Sequence, residues 1–221
     1  MESVLVSWSG GKDSMMALHE ILGGGQHEVA ALLTTVTEDY DRISMHGVRR
    51  ELLERQVESL GFRSEKVFLP KSCSNEEYEL RMGQTLARYA GRGVTSVVFG
   101  DVFLEDLRQH REKNLARLGM KGVFPIWRRD TTELLRCFVA LGFGAVVTCV
   151  DTSLLDGNFA GRSIDAQFMA EFPDTADICG ENGEYHSFVY QGPHFSQAVR
   201  FTVGETVLRD SRFNYCDLNP A

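Results

Sequence analysis

Ser7-Trp8-Ser9-Gly10-Gly11-Lys12-Asp13-Ser14 lies between an apolar run, Val4–Val6, and a second apolar run of helical character, Met15–Leu22. The stretch therefore marks the turn from a first strand into a first helix. Gly10 and Gly11 lack a Cβ, so the backbone there can take unusual dihedrals and approach a ligand closely. The N–H groups of the turn and of the first helical residues find no partner inside the helix, and that helix end is electropositive. Ser9 and Ser14 add hydroxyls, and Lys12 adds a full positive charge. Together they form an anion cradle of the kind that holds a phosphate chain. The competing reading is plain helix punctuation, a Gly-Gly turn with Asp13 or Ser14 as the N-cap. The density of Ser, Gly, Lys and Asp immediately after a strand favours the cradle. The stretch lacks the longer spacer that a Walker A loop requires between its first Gly and its Gly-Lys.

Outward from this turn, Gly23-Gly24-Gly25 ends the first helix, and Val29–Val36 reads as a strand buried on both faces. Strand, helix and strand in succession predict βαβ units and a parallel sheet, with ligands at the carboxyl ends of the strands. Thr34, Thr35 and Thr37 fall at such an end, where they serve equally as β-branched strand formers. Further on, helices are expected at Val48–Leu60, Glu76–Arg92 and Thr131–Leu141, and strands at Lys66–Leu69, Val94–Phe99 and Ala145–Val150. Gly100-Asp101 follows one of these strands, which places the Asp101 carboxylate in the same crevice as the loop. Glu105 and Asp106 read as a solvated helix face or as part of the site. Gly119–Pro125 is a turn-rich connector. Ser163–Phe172 reads as a short helix capped by Ser163, with Asp165 as its first-turn acid. Phe188–Tyr190, Ala198–Val203 and Glu205–Leu208 read as antiparallel strands, with a turn at Gly204-Glu205.

The 221 residues accommodate a nucleotide-binding part at 1–125 and a smaller part at 126–221. Hydrophobic residues make up 43%, enough for a core, while the net charge of −8 lacks the basic face that nucleic acid requires. Cys73, Cys137, Cys149, Cys179 and Cys216 are scattered and form no C-x-x-C pair, which speaks against a zinc site or a disulfide framework and fits a reducing compartment. No apolar run approaches the ~20 residues that span a bilayer, and Val4–Val6 is too short for a signal-peptide core. The expectation is a cytoplasmic protein with no nucleic-acid or membrane partner. A homo-oligomer stays open.

Ser9-Gly10-Gly11-Lys12-Asp13-Ser14 resembles the PP-loop of the ATP pyrophosphatases. Gly180-Glu181-Asn182-Gly183-Glu184-Tyr185-His186-Ser187-Phe188-Val189 resembles the Gly-Glu-Gly-Gly-Glu-Tyr-His-Thr-Phe-Val signature of the diphthine–ammonia ligase family, with Asn182 in place of a glycine and Ser187 in place of a threonine. The two motifs bracket most of the chain. Read from its residues alone, the second is either a tight turn before a strand or a substrate loop.

The resemblance implies an α/β fold with a Rossmann-like, HUP-type parallel sheet flanked by helices, and a smaller C-terminal α+β domain. It implies ATP and Mg2+ as cofactors, with ammonia and a carboxylate substrate, diphthine on an elongation factor being one such carboxylate. Adenylation of that carboxylate would release pyrophosphate, and ammonia would then displace AMP. The residues it points to are Ser9, Gly10, Gly11, Lys12, Asp13, Ser14, Thr34 and Gly100 for the nucleotide, and Asp13 and Asp101 for the metal. It points to His46, Arg111, Glu112, Glu181, Gly183 and Tyr185 for the substrate side. Lys12, Asp13, Asp101, Glu184 and His186 carry the chemistry in this reading, with Glu184 and His186 as candidates to take the ammonia proton. The segment Gly100-Asp101-Val102-Phe103-Leu104-Glu105-Asp106 departs from the family's small-residue and Ser-Asp-Tyr pattern, which leaves the substrate open. The alternatives are a PP-loop enzyme acting on a different small carboxylate, and a non-catalytic module that binds an adenine nucleotide. Thiolation of a tRNA base would call for cysteine pairs and a basic face, and the chain has neither.

Overall fold

A computed structural model describes residues Met1–Ala221. The first strand, β1 (Glu2–Ser7), runs into the glycine turn, and helix α1 (Lys12–Gly24) follows. Gly25, in the left-handed region at φ 63°, stops α1 where the glycine run predicted a stop. Next come β2 (His27–Thr37), the short β3 (Arg42–Ile43), α2 (Arg50–Ser59), β4 (Ser64–Leu69), α3 (Asn75–Ala90) and β5 (Ser96–Val98). Then α4 (Glu105–Ala116) leads to β6 (Lys121–Val123), which lies inside the expected connector.

These strands make one sheet. β1 is its centre, parallel to β2 on one side and to β5 on the other. β4 pairs in parallel with β2, β6 pairs in parallel with β5, and β3 runs antiparallel to the end of β2. The chain thus builds outward in one direction through β2 and β4, then returns to the other side of β1 for β5. That reversal is the switch point where such sheets bind ligands, and both Ser7-Trp8 and Gly100-Asp101 lie beside it.

The side-chain period of two explains how the sheet is sandwiched. Val4 and Val6 of β1 face a cluster of 39 buried residues, together with Met15 and Leu18 of α1 and Leu52 and Leu53 of α2. Leu5, between them, faces a cluster of 12 with Leu86 and Tyr89 of α3 and Leu115 of α4. Helices therefore cover both faces, as an all-apolar central strand requires.

The second half begins with α5 (Thr131–Ala140), capped by Asp130, whose carboxylate accepts from Glu133 N at 2.8 Å. It continues through β7 (Gly144–Asp151), α6 (Ala166–Glu171), β8 (Tyr185–Gln191), β9 (Phe201–Arg209) and β10 (Phe213–Pro220). These four strands form a separate antiparallel sheet in the order β8-β7-β10-β9, with β7 buried along its whole length. Two local expectations need correction. Asp165, not Ser163, caps α6, because its carboxylate accepts from Phe168 N at 2.8 Å while Ser163 bridges to Val146. Gly204 makes no turn; β9 continues through it with a register irregularity that sets Gly204 and Glu205 opposite Asp217, and the hairpin bends instead at Asp210 and Ser211, both at positive φ. No helix is long and apolar enough to cross a membrane.

Candidate active site

Gly11 is the N-cap of α1 and has no side chain to satisfy the first turn. Two amides of the turn are answered by hydroxyls: Gly11 N donates to Ser9 Oγ and Lys12 N to Ser187 Oγ, both at 3.2 Å. The N–H groups of Gly10, Asp13 and Ser14 have no acceptor anywhere in the chain. Open donors at a helix start beside a buried lysine are what an anion cradle consists of. This settles the capping question against Asp13 and Ser14. Ser14 Oγ instead donates back to Gly11 O at 2.9 Å, and it lies 3.3 Å from Ser9 Oγ.

Lys12 is only 3% exposed, with Nζ 2.8 Å from Asp13 Oδ2 and 5.0 Å from the centre of the Tyr185 ring. Burial, the largest single influence, works against its charge, but the surrounding acidic groups, Asp13 first among them, together hold the ammonium above its ordinary pKa. Lys12 therefore stays charged.

The end of β5 closes on the same turn. A Cβ on Gly100 would stand 2.7 Å from the Asp13 carbonyl carbon and oxygen and 2.9 Å from Ser14 N, so only glycine permits this approach. Asp101 comes next. Arg111 of α4 reaches it, with Nε 2.8 Å from Oδ2 and Nη2 donating to Oδ1 at 3.2 Å. Burial raises the Asp101 pKa, Arg111 opposes that, and the nearby Asp13 charge adds to the rise. Asp101 Oδ2 is buried and receives no well-directed hydrogen bond. A buried carboxylate oxygen left in this state, with a second carboxylate beside it, fits a hard divalent cation that takes its remaining ligands from phosphate and water.

The second motif lies against the first. The rings of His186 and His46 pack with centroids 4.5 Å apart and planes tilted by 35°. The His46 contact to Ser187 O at 3.2 Å requires a proton on Nδ1, because a carbonyl only accepts. Nε2 of neutral His46 is then a bare acceptor. A Cβ on Gly11 would lie 3.0 Å from His46 Cε1 and 3.0 Å from Ser187 O. Desolvation and Lys12 push the His186 pKa down to about 4, and desolvation and His186 push His46 well below its usual value. Both rings are neutral at neutral pH.

Within the motif the acids divide their work. Glu181 Oε1 accepts from Val102 N at 2.7 Å and Phe103 N at 3.3 Å, tying this loop to the turn after β5. Burial pushes its carboxyl up to about 7, and the Asp13 charge contributes to the rise. Glu184 is 3% exposed, and its oxygens accept from Asp177 N, Asn182 N and Asn182 Nδ2 at 2.9, 3.0 and 3.1 Å. It braces its own loop. Tyr185 is 2% exposed, and its hydroxyl donates to Ile178 O at 2.7 Å. Gly183 sits at φ 91° with open space around it.

Lys12, Asp13, Gly100, Asp101, Arg111, Glu181, His46 and His186 thus converge around one turn. Others lie differently. Thr34 is buried, and its hydroxyl donates to Trp8 O at 2.8 Å, pinning the exit of β1 rather than facing the cradle. Glu112 pairs with Arg108 at 2.9 Å along the exposed face of α4. Two participants were not singled out from the sequence. Ser187 lay inside the quoted motif. Gln56 was visible only as a polar residue among Leu52, Leu53 and Val57 on the inward face of α2.

Fold and site together define an α/β protein with an anion-cradling loop at the switch point of a parallel sheet and a second, acid- and histidine-bearing loop docked on it. Family models described as the diphthamide synthase N-terminal and C-terminal domains match residues 2–122 and 130–219. The chain belongs to the diphthamide synthase family. It is 27% identical, over 92% of its length, to a protein of Schizosaccharomyces pombe named diphthine--ammonia ligase, and spans 36% of that protein. A Danio rerio protein of the same name is 24% identical over 90% of this chain and 86% of its own length. A solved structure described as a predicted subunit of tRNA methyltransferase from Methanocaldococcus jannaschii aligns with a TM-score of 0.41 and 16% identity, over 62% of this chain and 74% of that one.

Proposed function

We propose that this protein is an ATP-dependent ligase that converts a substrate carboxylate to an amide with ammonia, as the name of its relatives describes. The observation that carries the reading is the contact between the two motifs. Lys12 N donates to Ser187 Oγ at 3.2 Å, and Val189 N donates to Gly10 O at 2.9 Å, across more than half of the chain. A phosphate-type cradle and a loop of titratable groups are thereby built as one surface.

In this reading a carboxylate oxygen of the substrate attacks the α-phosphorus of ATP. The bond from that phosphorus to the β-bridging oxygen breaks, and pyrophosphate leaves. The open N–H groups of Gly10, Asp13 and Ser14, with Lys12, stabilise the charge that develops on the leaving group. Ammonia then attacks the acyl carbon, AMP leaves, and the nitrogen gives up a proton. Of the two acceptors expected for that proton, His186 fits better. It is a neutral imidazole, whereas both oxygens of Glu184 already hold backbone and amide N–H groups. Glu181, titrating near neutrality, is a further acceptor on the same loop. Asp13 and Asp101 are the residues that would hold magnesium, which would supply charge neutralisation at the phosphates. Arg111 positions Asp101. Diphthine is the carboxylate the relatives' name indicates. We place the junction between nucleotide-side and substrate-side parts at residues 125 and 126, and the protein, with its five free cysteines, in the cytoplasm.

The test is to incubate the protein with ATP, magnesium, ammonium and candidate acids, and to identify the nucleotide product. AMP with pyrophosphate is expected. ADP would replace this reading with a kinase-type one. Binding without turnover under every acid tried would replace it with a nucleotide-binding module.

A further inference from the structure

Gln56 of α2 is 0% exposed, in the middle of an apolar helix face, and it touches both halves of the site. Its Oε1 accepts from Trp8 Nε1 at 2.9 Å, and its Nε2 donates to Gly10 O at 2.9 Å and to Val189 O at 2.6 Å. The amide can face only one way. The indole N–H only donates and the two carbonyls only accept, so Oε1 must meet Trp8 and Nε2 the carbonyls.

We propose that Gln56 is a positioning residue for the cradle, fixing the Gly10–Gly11 peptide so that the open loop amides converge on a phosphate. The proposal rests on the ATP reading above for its consequence, and on geometry for its mechanism. Gly10 stands at φ 77°, in the region that glycine enters freely, and as a glycine it has more backbone freedom to be restrained than any other residue. Two donors from outside the loop, Gln56 Nε2 and Val189 N, hold that carbonyl. Gly10 O and Gly11 N–H share one peptide plane, so holding the carbonyl aims that N–H at Ser9 Oγ and sets how the chain enters α1, whose Asp13 and Ser14 N–H groups are open. The same Nε2 caps Val189 O, so the loop and β8 share one anchor. An apolar residue in its place would pack into α2 but leave the Trp8 N–H and the Val189 carbonyl buried and unanswered.

The test compares Gln56→Met with Val57→Ala, a core truncation on the same helix that leaves the loop's bonds intact. Gln56→Glu is a second variant, turning an oxygen toward two carbonyl oxygens. Should Gln56→Met fail to fold, Gln56→Asn takes its place. Inorganic pyrophosphate is the probe for calorimetric binding, and amide hydrogen exchange at Val189 is the ligand-free readout. At matched loss of melting temperature, the Gln56 variants should bind pyrophosphate at least ~10-fold more weakly, and Val57→Ala within ~3-fold of the parent protein. Val189 should lose exchange protection only in the Gln56 variants. Equal behaviour of Gln56→Met and Val57→Ala in both readouts would overturn the proposal. A parent protein that binds no pyrophosphate, while Gln56→Met still frees the Val189 amide, would sink the ATP reading and leave the anchoring role standing.

Discussion

Lys12 is buried with Asp13 as its close partner, and that pairing sets what happens when it is removed. Lys12→Met keeps the length of the side chain, so packing against Tyr185 survives while the charge aimed at the leaving group does not. Pyrophosphate release should fall at least ~100-fold, the scale of losing one preorganised charge at a developing anion, with the fold retained by circular dichroism. The pH response follows from other side chains. His46 and His186 have folded pKa values below their unfolded ones, so between about pH 6.5 and about pH 4 the unfolded chain binds more protons. Their contribution to stability is present above about 6.5 and is lost on acidification through that window. Glu181, raised to about 7, acts with the opposite sign, its contribution being present below about 4.5 and lost as pH rises to 7. His186→Asn should therefore make stability less acid-sensitive between pH 6.5 and 4, and Glu181→Gln should remove the decline between pH 4.5 and 7. Denaturant titrations across that range measure both slopes. Unchanged slopes would mean that these groups are as solvated in the folded protein as in the unfolded chain.

Among the elements, the end of β5 and the start of α1 meet backbone to backbone, and backbone cannot swing aside. Gly100→Ala forces a Cβ to within 2.7 Å of the Asp13 carbonyl, so either β5 or the first turn of α1 must shift. A loss of about 1–3 kcal/mol in stability is expected, with turnover impaired as well, because the displaced atoms belong to the cradle. Gly83, inside α3, has nothing within 4 Å of its Cβ position. Gly83→Ala should stabilise the protein by about 0.5–1 kcal/mol and leave turnover alone, so thermal melts and pyrophosphate assays of the two alanines should diverge. A second contact joins β10 to the segment carrying His46. Asp217 accepts from Arg42 Nη1 at 2.8 Å and Arg49 Nη2 at 2.6 Å, and Arg42 also donates to Gly47 O at 2.6 Å. Burial opposes the Asp217 charge, the two guanidiniums overcome it, and the carboxyl is held at about 2. Its stabilisation is present above pH 3.8 and is lost as pH falls through about 2, so Asp217→Asn should cost about 2 kcal/mol at pH 7 and progressively less on acidification from pH 3.8 toward 2, read by urea unfolding. Elements of this kind were unequally legible in the sequence. β1, α1 and β2 declared themselves because a long apolar run or a 3.6 period was bounded by glycine. β10 did not, because Phe213-Asn214-Tyr215-Cys216-Asp217 lacks a clean apolar alternation and owes its place to its pairing with β7 and β9. The cradle could be read because its residues are contiguous. Gln56 and Ser187 reach it, and Asp217 reaches the segment carrying His46, only through the tertiary fold, of which spacing along the chain carries no trace.

For the whole molecule, the telling fact is that two sheets share one core. The cluster of 39 buried residues takes Val4, Trp8, Met15, Leu53 and Val98 from the first half, and Phe138, Val147, Phe188, Val189 and Leu218 from the second. Cutting between the two family-model matches would expose an apolar face of α1 and α2 that is otherwise covered. It would also strip the loop of Ser187 Oγ and Val189 N, and Gln56 of Val189 O. Hydrophobic burial scales at roughly 25 cal/mol per Å2, and a domain's net stability is only about 5–15 kcal/mol, so losing one wall of the main core outweighs the margin. A fragment of residues 1–125 should therefore show no cooperative thermal transition and no pyrophosphate binding, although it contains every residue of the glycine turn. Mixing it with residues 126–221 should restore both, since the missing partners are supplied without a covalent link. Calorimetry of the separate and combined fragments decides the matter. A sharp independent transition for residues 1–125 would show that the parallel sheet carries its own core, and that the second half is an addition to a site already formed.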